Sequence, residues 1–178
     1  MKVQRHLDRL EPMVLSPLRG LTDEQWHGAP SGKWSVAQIV HHLAIGMDLV
    51  ATMMGERKNK PMSRRAKPYQ AVLRHLVLSA GRIPGGFKAA EVTHPDDRPD
   101  PEMVAAQFRM GVERMKEYYK TWPPELQVAV FVRHPLLGDL NLPEWTRFHY
   151  VHCRHHAAQI QYRLAWVTTR REKPPTAA

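Results

Sequence analysis

Cysteine is nearly absent. Cys153 is the single one in 178 residues, so no disulfide can close within the chain, and no CxxC pair is present. Long hydrophobic runs are also missing. The apolar stretches are short and interrupted, and none approaches the roughly 20 residues that a membrane-spanning helix needs. The N-terminus, Met1-Lys2-Val3-Gln4-Arg5-His6, lacks the apolar core and small-residue cleavage site of a secretory signal, which makes the cytoplasm the expected location. Acidic residues are in deficit, 17 against 26 Lys plus Arg, for a formal net charge of +9. The excess is spread over Arg57-Lys58-Lys60, Arg64-Arg65-Lys67 and Arg170-Arg171-Lys173. Dispersed charge of this kind reads as solvated surface rather than as a nucleic-acid footprint. No Gly-rich phosphate loop and no nucleophile–base–acid triad stand out.

What is there is a helical pattern. Hydrophobic residues make up 43% of the chain, enough for a core in one domain of ordinary size. Leu7, Leu10, Met13, Val14 and Leu18 recur at spacings of three and four, with Pro12 and Pro17 as complications. Thr22-Asp23-Glu24-Gln25 reads as a capping box for a short turn with Trp26, and Gly28 to Gly32 as a loop. Ser35-Val36-Ala37-Gln38 is a second capping box, opening a helix to about Met54 with Gly55 placed as its C-terminal cap.

Residues 56–67 read as a polar loop broken by Pro61 and Pro68. Tyr69 to Ala80 has helical spacing, and 81–99 an irregular surface excursion. Asp100-Pro101-Glu102 starts a helix to about Trp122, stopped by Pro123-Pro124 and followed by a loop. Asn141-Leu142-Pro143-Glu144 starts the last helix, to about Arg170. No run alternates as a strand would. The expectation is an all-α helix bundle over residues 1–172, with a shorter extra helix, long surface loops and a disordered tail at 173–178.

The chain has 11 histidines, and the last helix concentrates them: His149, His152, His155 and His156 fall within two turns. Residues four apart stack on one helix face, so His152 and His156 can share one ion. Phe148, Val151, Ile160 and Leu164 place that pair beside the core. A third ligand stands at His41 or His42 on the second long helix. Adjacent helical residues differ by about 100°, so only one of them faces inward, and spacing does not choose.

Lys33-Trp34-Ser35-Val36-Ala37-Gln38-Ile39-Val40-His41-His42-Leu43 resembles the Trp-Ser-x-x-(Glu/Gln)-Ile-x-x-His-Leu signature of the DinB/YfiT-like superfamily. His152-Cys153-Arg154-His155-His156-Ala157-Ala158-Gln159-Ile160 is similar to that family's second motif, His-x-x-x-His followed by Gln-Ile. His134-Pro135-Leu136-Leu137-Gly138 with Pro143-Glu144-Trp145 also resembles one of its branches. The stretch from Glu56 to Pro99 is longer and more basic than the family pattern. The resemblance implies a four-helix up-down-down-up bundle and a homodimer. It implies one divalent ion, nickel or zinc, on His42, His152 and His156, with His155 a non-ligand. It further implies either thiol S-transfer, with bacillithiol, mycothiol or glutathione, or hydrolysis of a small molecule.

Three neutral imidazoles leave an ion its full charge and an open position, the arrangement that activates a water or a thiol. Gln38 and Gln159 are the candidates to orient ligands, although a capping role already occupies Gln38. His149 is a candidate general base or rim residue. Trp34, Trp145 and Tyr150 read as core or pocket wall, and Cys153 as a packed thiol. The alternative is a non-catalytic stress-response or binding module whose metal is structural or vestigial.

Overall fold

Capping chemistry opens the helices where the sequence places it. The computed structural model describes residues 4–59, 64–65, 67–83 and 88–172, excepting the side chains of 171 and 172. Helix α1 (Gln4–Leu15) passes through Pro12 and continues into a 3-10 turn, Ser16–Leu18. Helix α2 (Asp23–His27) is opened by the Thr22–Gln25 box. Helix α3 (Val36–Arg57) starts at Ser35, whose hydroxyl accepts from the Gln38 amide while Gln38 Oε1 accepts from the Ser35 amide. Helix α4 is Pro68–Ala80, with Pro68 in its first turn rather than as a breaker. Asp100 caps α5 (Pro101–Thr121) through the Met103 amide at 2.8 Å. Asn141 and Glu144 exchange the bonds of another capping box at the start of α7 (Leu142–Glu172).

Helices α1, α3, α5 and α7 pack in a ring, α3 on α5 and α7, and α1 on α5 and α7. Leu7, Leu10 and Val14 from α1, Ile39, Val40 and Met47 from α3, Phe108 and Val112 from α5, and Ile160 from α7 form its buried interior. Helix α4 lies outside the ring, against α7.

Three further details depart from the sequence reading. The segment after α5 is not a plain loop: it holds a short helix α6 (Pro124–Ala129) and a hairpin of β1 (Val132–His134) with β2 (Gly138–Leu140). Three-residue strands are too short for an alternating pattern to register. Gly55 does not cap α3, which continues to Arg57; a Cβ there would lie 2.7 Å from the Tyr118 hydroxyl. The glycine instead admits Tyr118, whose hydroxyl donates to the Ala51 carbonyl at 2.8 Å. Finally, α3 is by length and composition apolar enough to cross a membrane, contrary to the count of apolar runs. Here its apolar surface is spent on neighbouring helices, as expected of a helix buried on most sides. Pro61 and the tail 173–178 lie outside the described residues.

Candidate metal centre

Helices α3 and α7 meet at His42, His152 and His156, whose ligand nitrogens all lie within 4.8 Å of one another. His42 and His156 are 5% and 7% exposed, and His152 is partly buried. The His152 Nε2 stands 3.3 Å from His42 Nε2 and 3.0 Å from His156 Nε2. Rotation by 100° separates His42 from its neighbour. His41 turns its Nδ1 to the Asp96 amide at 3.1 Å, away from this cluster.

The far side of each outer ring decides its chemistry. His42 Nδ1 lies 2.8 Å from the Thr93 carbonyl oxygen. A carbonyl only accepts, so Nδ1 carries the proton and Nε2 presents a lone pair. His156 Nδ1 lies 2.9 Å from Gln159 Oε1, and Gln159 Nε2 lies 3.1 Å from His155 Nε2. The amide donates to His155 and accepts from His156, which again leaves Nε2 of His156 bare. Burial holds His156 neutral, its pKa pushed down to about 3, with the neighbouring His42 adding to the shift. Burial likewise lowers His42, against the raising effect of its bond to Thr93, and lowers His152 well below the usual imidazole value.

Two bare nitrogens therefore converge on His152 Nε2, which can donate at most one proton. At least one of these close contacts opposes two lone pairs, an arrangement that a cation relieves and no side chain here does. Ligand distances of about 2.0–2.1 Å at tetrahedral angles put donor atoms roughly 3.3–3.4 Å apart, near the separations found. The residues present fit a divalent ion.

The other candidates fall into place around this seam. Gln159 touches His156 directly. Gln38 is spent on the α3 cap and, through Nε2, on the Asp96 carbonyl at 3.3 Å. His149 does not reach a rim: it is 3% exposed, stacked on Trp145 at 5.5 Å, and its buried Nε2 has no hydrogen-bond partner. Burial pushes its pKa down to about 3, with His134 adding to the shift. Trp34 walls the site, its ring 5.0 Å from His42, while Trp145 is core and Tyr150 packs on His6. Cys153 is wholly buried and its thiol pKa is raised, so it is not poised as a nucleophile.

Sequence reasoning did not find Thr93 or Arg163. Thr93 acts through its backbone oxygen, 51 residues from His42, and no side-chain signal marks such a group. Arg163 is 7% exposed and its Nε donates to the Trp34 carbonyl at 2.8 Å. A charged residue seven positions after His156, on the same helix face, was the available signal. No curated protein and no solved structure matches the chain. The model of the DinB superfamily matches residues 6–160, spanning both histidine motifs. The chain belongs to the DinB superfamily.

Proposed function

We propose that this chain is a metal-dependent enzyme that acts on a small molecule by thiol S-transfer or hydrolysis. The observation that carries the reading is the convergence of three Nε2 atoms, two of them held bare by partners on Nδ1. A divalent ion, nickel or zinc, held there through three neutral ligands supplies Lewis acidity and an open coordination position. His42, His152 and His156 hold it, and the Thr93 carbonyl and Gln159 fix the outer rings. Trp34 shields one side from water.

The helices are proposed to run up-down-down-up. Contacts of Met47 with Gly111 and of Ala51 with Tyr118, whose numbers rise together, support parallel α3 and α5. The pairs Glu11–Arg109 and Asp8–Lys116, whose numbers run oppositely, support antiparallel α1 and α5. A homodimer in the cytoplasm, with a low-molecular-weight thiol as co-substrate in the S-transfer case, completes the proposal.

Elemental analysis of tag-free wild type beside His152→Ala tests it. About one ion per chain, lost in the variant, is expected, followed by metal-dependent turnover in a screen of thiol transfer and ester or amide hydrolysis. No stoichiometric ion in the wild type would favour a non-catalytic binding module.

A further inference from the structure

Arg163 has a largely buried side chain whose guanidinium meets no carboxylate among the described residues. The residue is 93% removed from solvent. Its one hydrogen bond runs from Nε to the Trp34 carbonyl, and both Nη groups are left without a partner among the described residues. The guanidinium lies along the face of Tyr162, 5.3 Å from the ring centre, which adds no negative charge. Contrast Arg133, which is far more exposed and still holds the Asp139 carboxylate at 2.9 Å.

A tether to one carbonyl needs a donor but not a charge; a glutamine amide would serve. Neither Nη is among the enclosed polar atoms without a partner, so that edge of the guanidinium opens to solvent, where an arriving anion would meet it with charge-assisted bonds. The fork of an arginine, with one edge tied by Nε and the other free, suits a carboxylate or phosphate.

Its position connects it to the histidine seam. Arg163 stands seven residues beyond His156, two turns along the same face of α7, or about 10.5 Å of axial rise. Trp34 bridges the interval: its carbonyl receives Arg163 and its ring rests on His42.

We propose that Arg163 anchors the oxyanion of a small molecule whose other end, a thiol or oxygen, reaches the ion on His42, His152 and His156. The inference rests on the metal-centre reading and narrows its substrate class to anions long enough to span about two helical turns. Arg163 is thus a specificity-determining residue, and neutral molecules of the same length are poorer ligands.

The test uses the full chain loaded with cobalt(II) and two probes of equal length, 6-mercaptohexanoate and 6-mercaptohexanol. Each binds by losing its thiol proton to buffer, and thiolate-to-cobalt absorption reports binding. Wild type is expected to bind the carboxylate probe at least ten-fold more tightly, with a preference that falls as salt rises. Arg163→Gln, which keeps a donor for Trp34, should reduce the preference below three-fold without changing cobalt content or affinity for the alcohol. Arg163→Lys should keep part of it.

Equal affinities for the two probes in wild type overturn the proposal, whether or not the glutamine variant folds. So does a preference that survives in Arg163→Gln. In both cases cobalt uptake leaves the metal centre intact. Wild type that takes up no cobalt overturns the metal reading and this proposal together.

Discussion

Two groups of buried histidines sit within a few turns of each other on and beside α7, and they are chemically opposite. At the α3 seam, His42 and His156 each give Nδ1 to an acceptor and turn a bare Nε2 toward His152. Nearer the start of α7, His149 is stacked on Trp145 and faces Phe148, with its buried Nε2 unpartnered. His134, beside it, spends Nδ1 on the Leu136 and Leu137 amides and packs its ring on Phe148 at 4.5 Å. Both groups are desolvated and neutral. What separates them is convergence. Lone pairs that meet need a cation, whereas lone pairs walled off by aromatic rings behave as an imperfect core.

The sharpest way to break that contrast is to remove a histidine from each group. His42→Ala is expected to abolish stoichiometric metal binding, whereas His149→Phe keeps it, as read by elemental analysis of both variants. Equal metal loss in the two would erase the distinction. The next largest effect is at Gln159. Gln159→Leu takes the acceptor from His156 Nδ1 and should weaken metal affinity about 10–100-fold, measured by competition with a chelator. Unchanged affinity would mean that the ring needs no such orientation.

Acid stability tests the burial that the two groups share. The folded-state pKa of His149, about 3, is below the unfolded value near 6.5. Between those values the unfolded chain binds a proton that the folded chain refuses, so stability falls as pH drops through that window and is unaffected above it. For metal-free protein, His149→Phe should flatten the slope of unfolding free energy by about 1.4 kcal/mol per pH unit between pH 4 and 6. A slope identical to wild type would contradict the burial argument. The smallest effect is at the α3 cap: Gln38→Ala should cost about 1 kcal/mol in denaturant unfolding while leaving metal affinity as it was. A fall in affinity instead would give Gln38 a role at the ligands that its bonds to Ser35 and Asp96 do not suggest.

The contrast also marks how far the sequence could be read. The capping boxes at Thr22, Ser35 and Asn141 and the Asp100 cap are local, because the partners lie three residues apart, and their helices start where expected. The His152–His156 pair was legible for the same reason, being one turn of one helix. The choice of His42 over His41 came from the family motif, since hydrophobic residues flank both. Gly55 misled because a glycine at a helix end and a glycine under a tyrosine look alike in sequence, and only the approach of α5 tells them apart. The hairpin of β1 and β2 escaped because its strands are three residues long.

The sequence by itself determined the helical class, the points where the side-chain-capped helices begin, and a pair of histidines on one face. These follow from contacts within about one turn, whose geometry is the same in any fold. Tertiary structure decided which nitrogens meet and which are bare. The Thr93 carbonyl sets the proton on His42 from 51 residues away, and the Trp34 carbonyl holds a guanidinium 129 residues distant. Such bonds depend on backbone atoms that every residue carries alike, so no residue type announces them. Only the packed chain brings the carbonyl and the imidazole to hydrogen-bond distance.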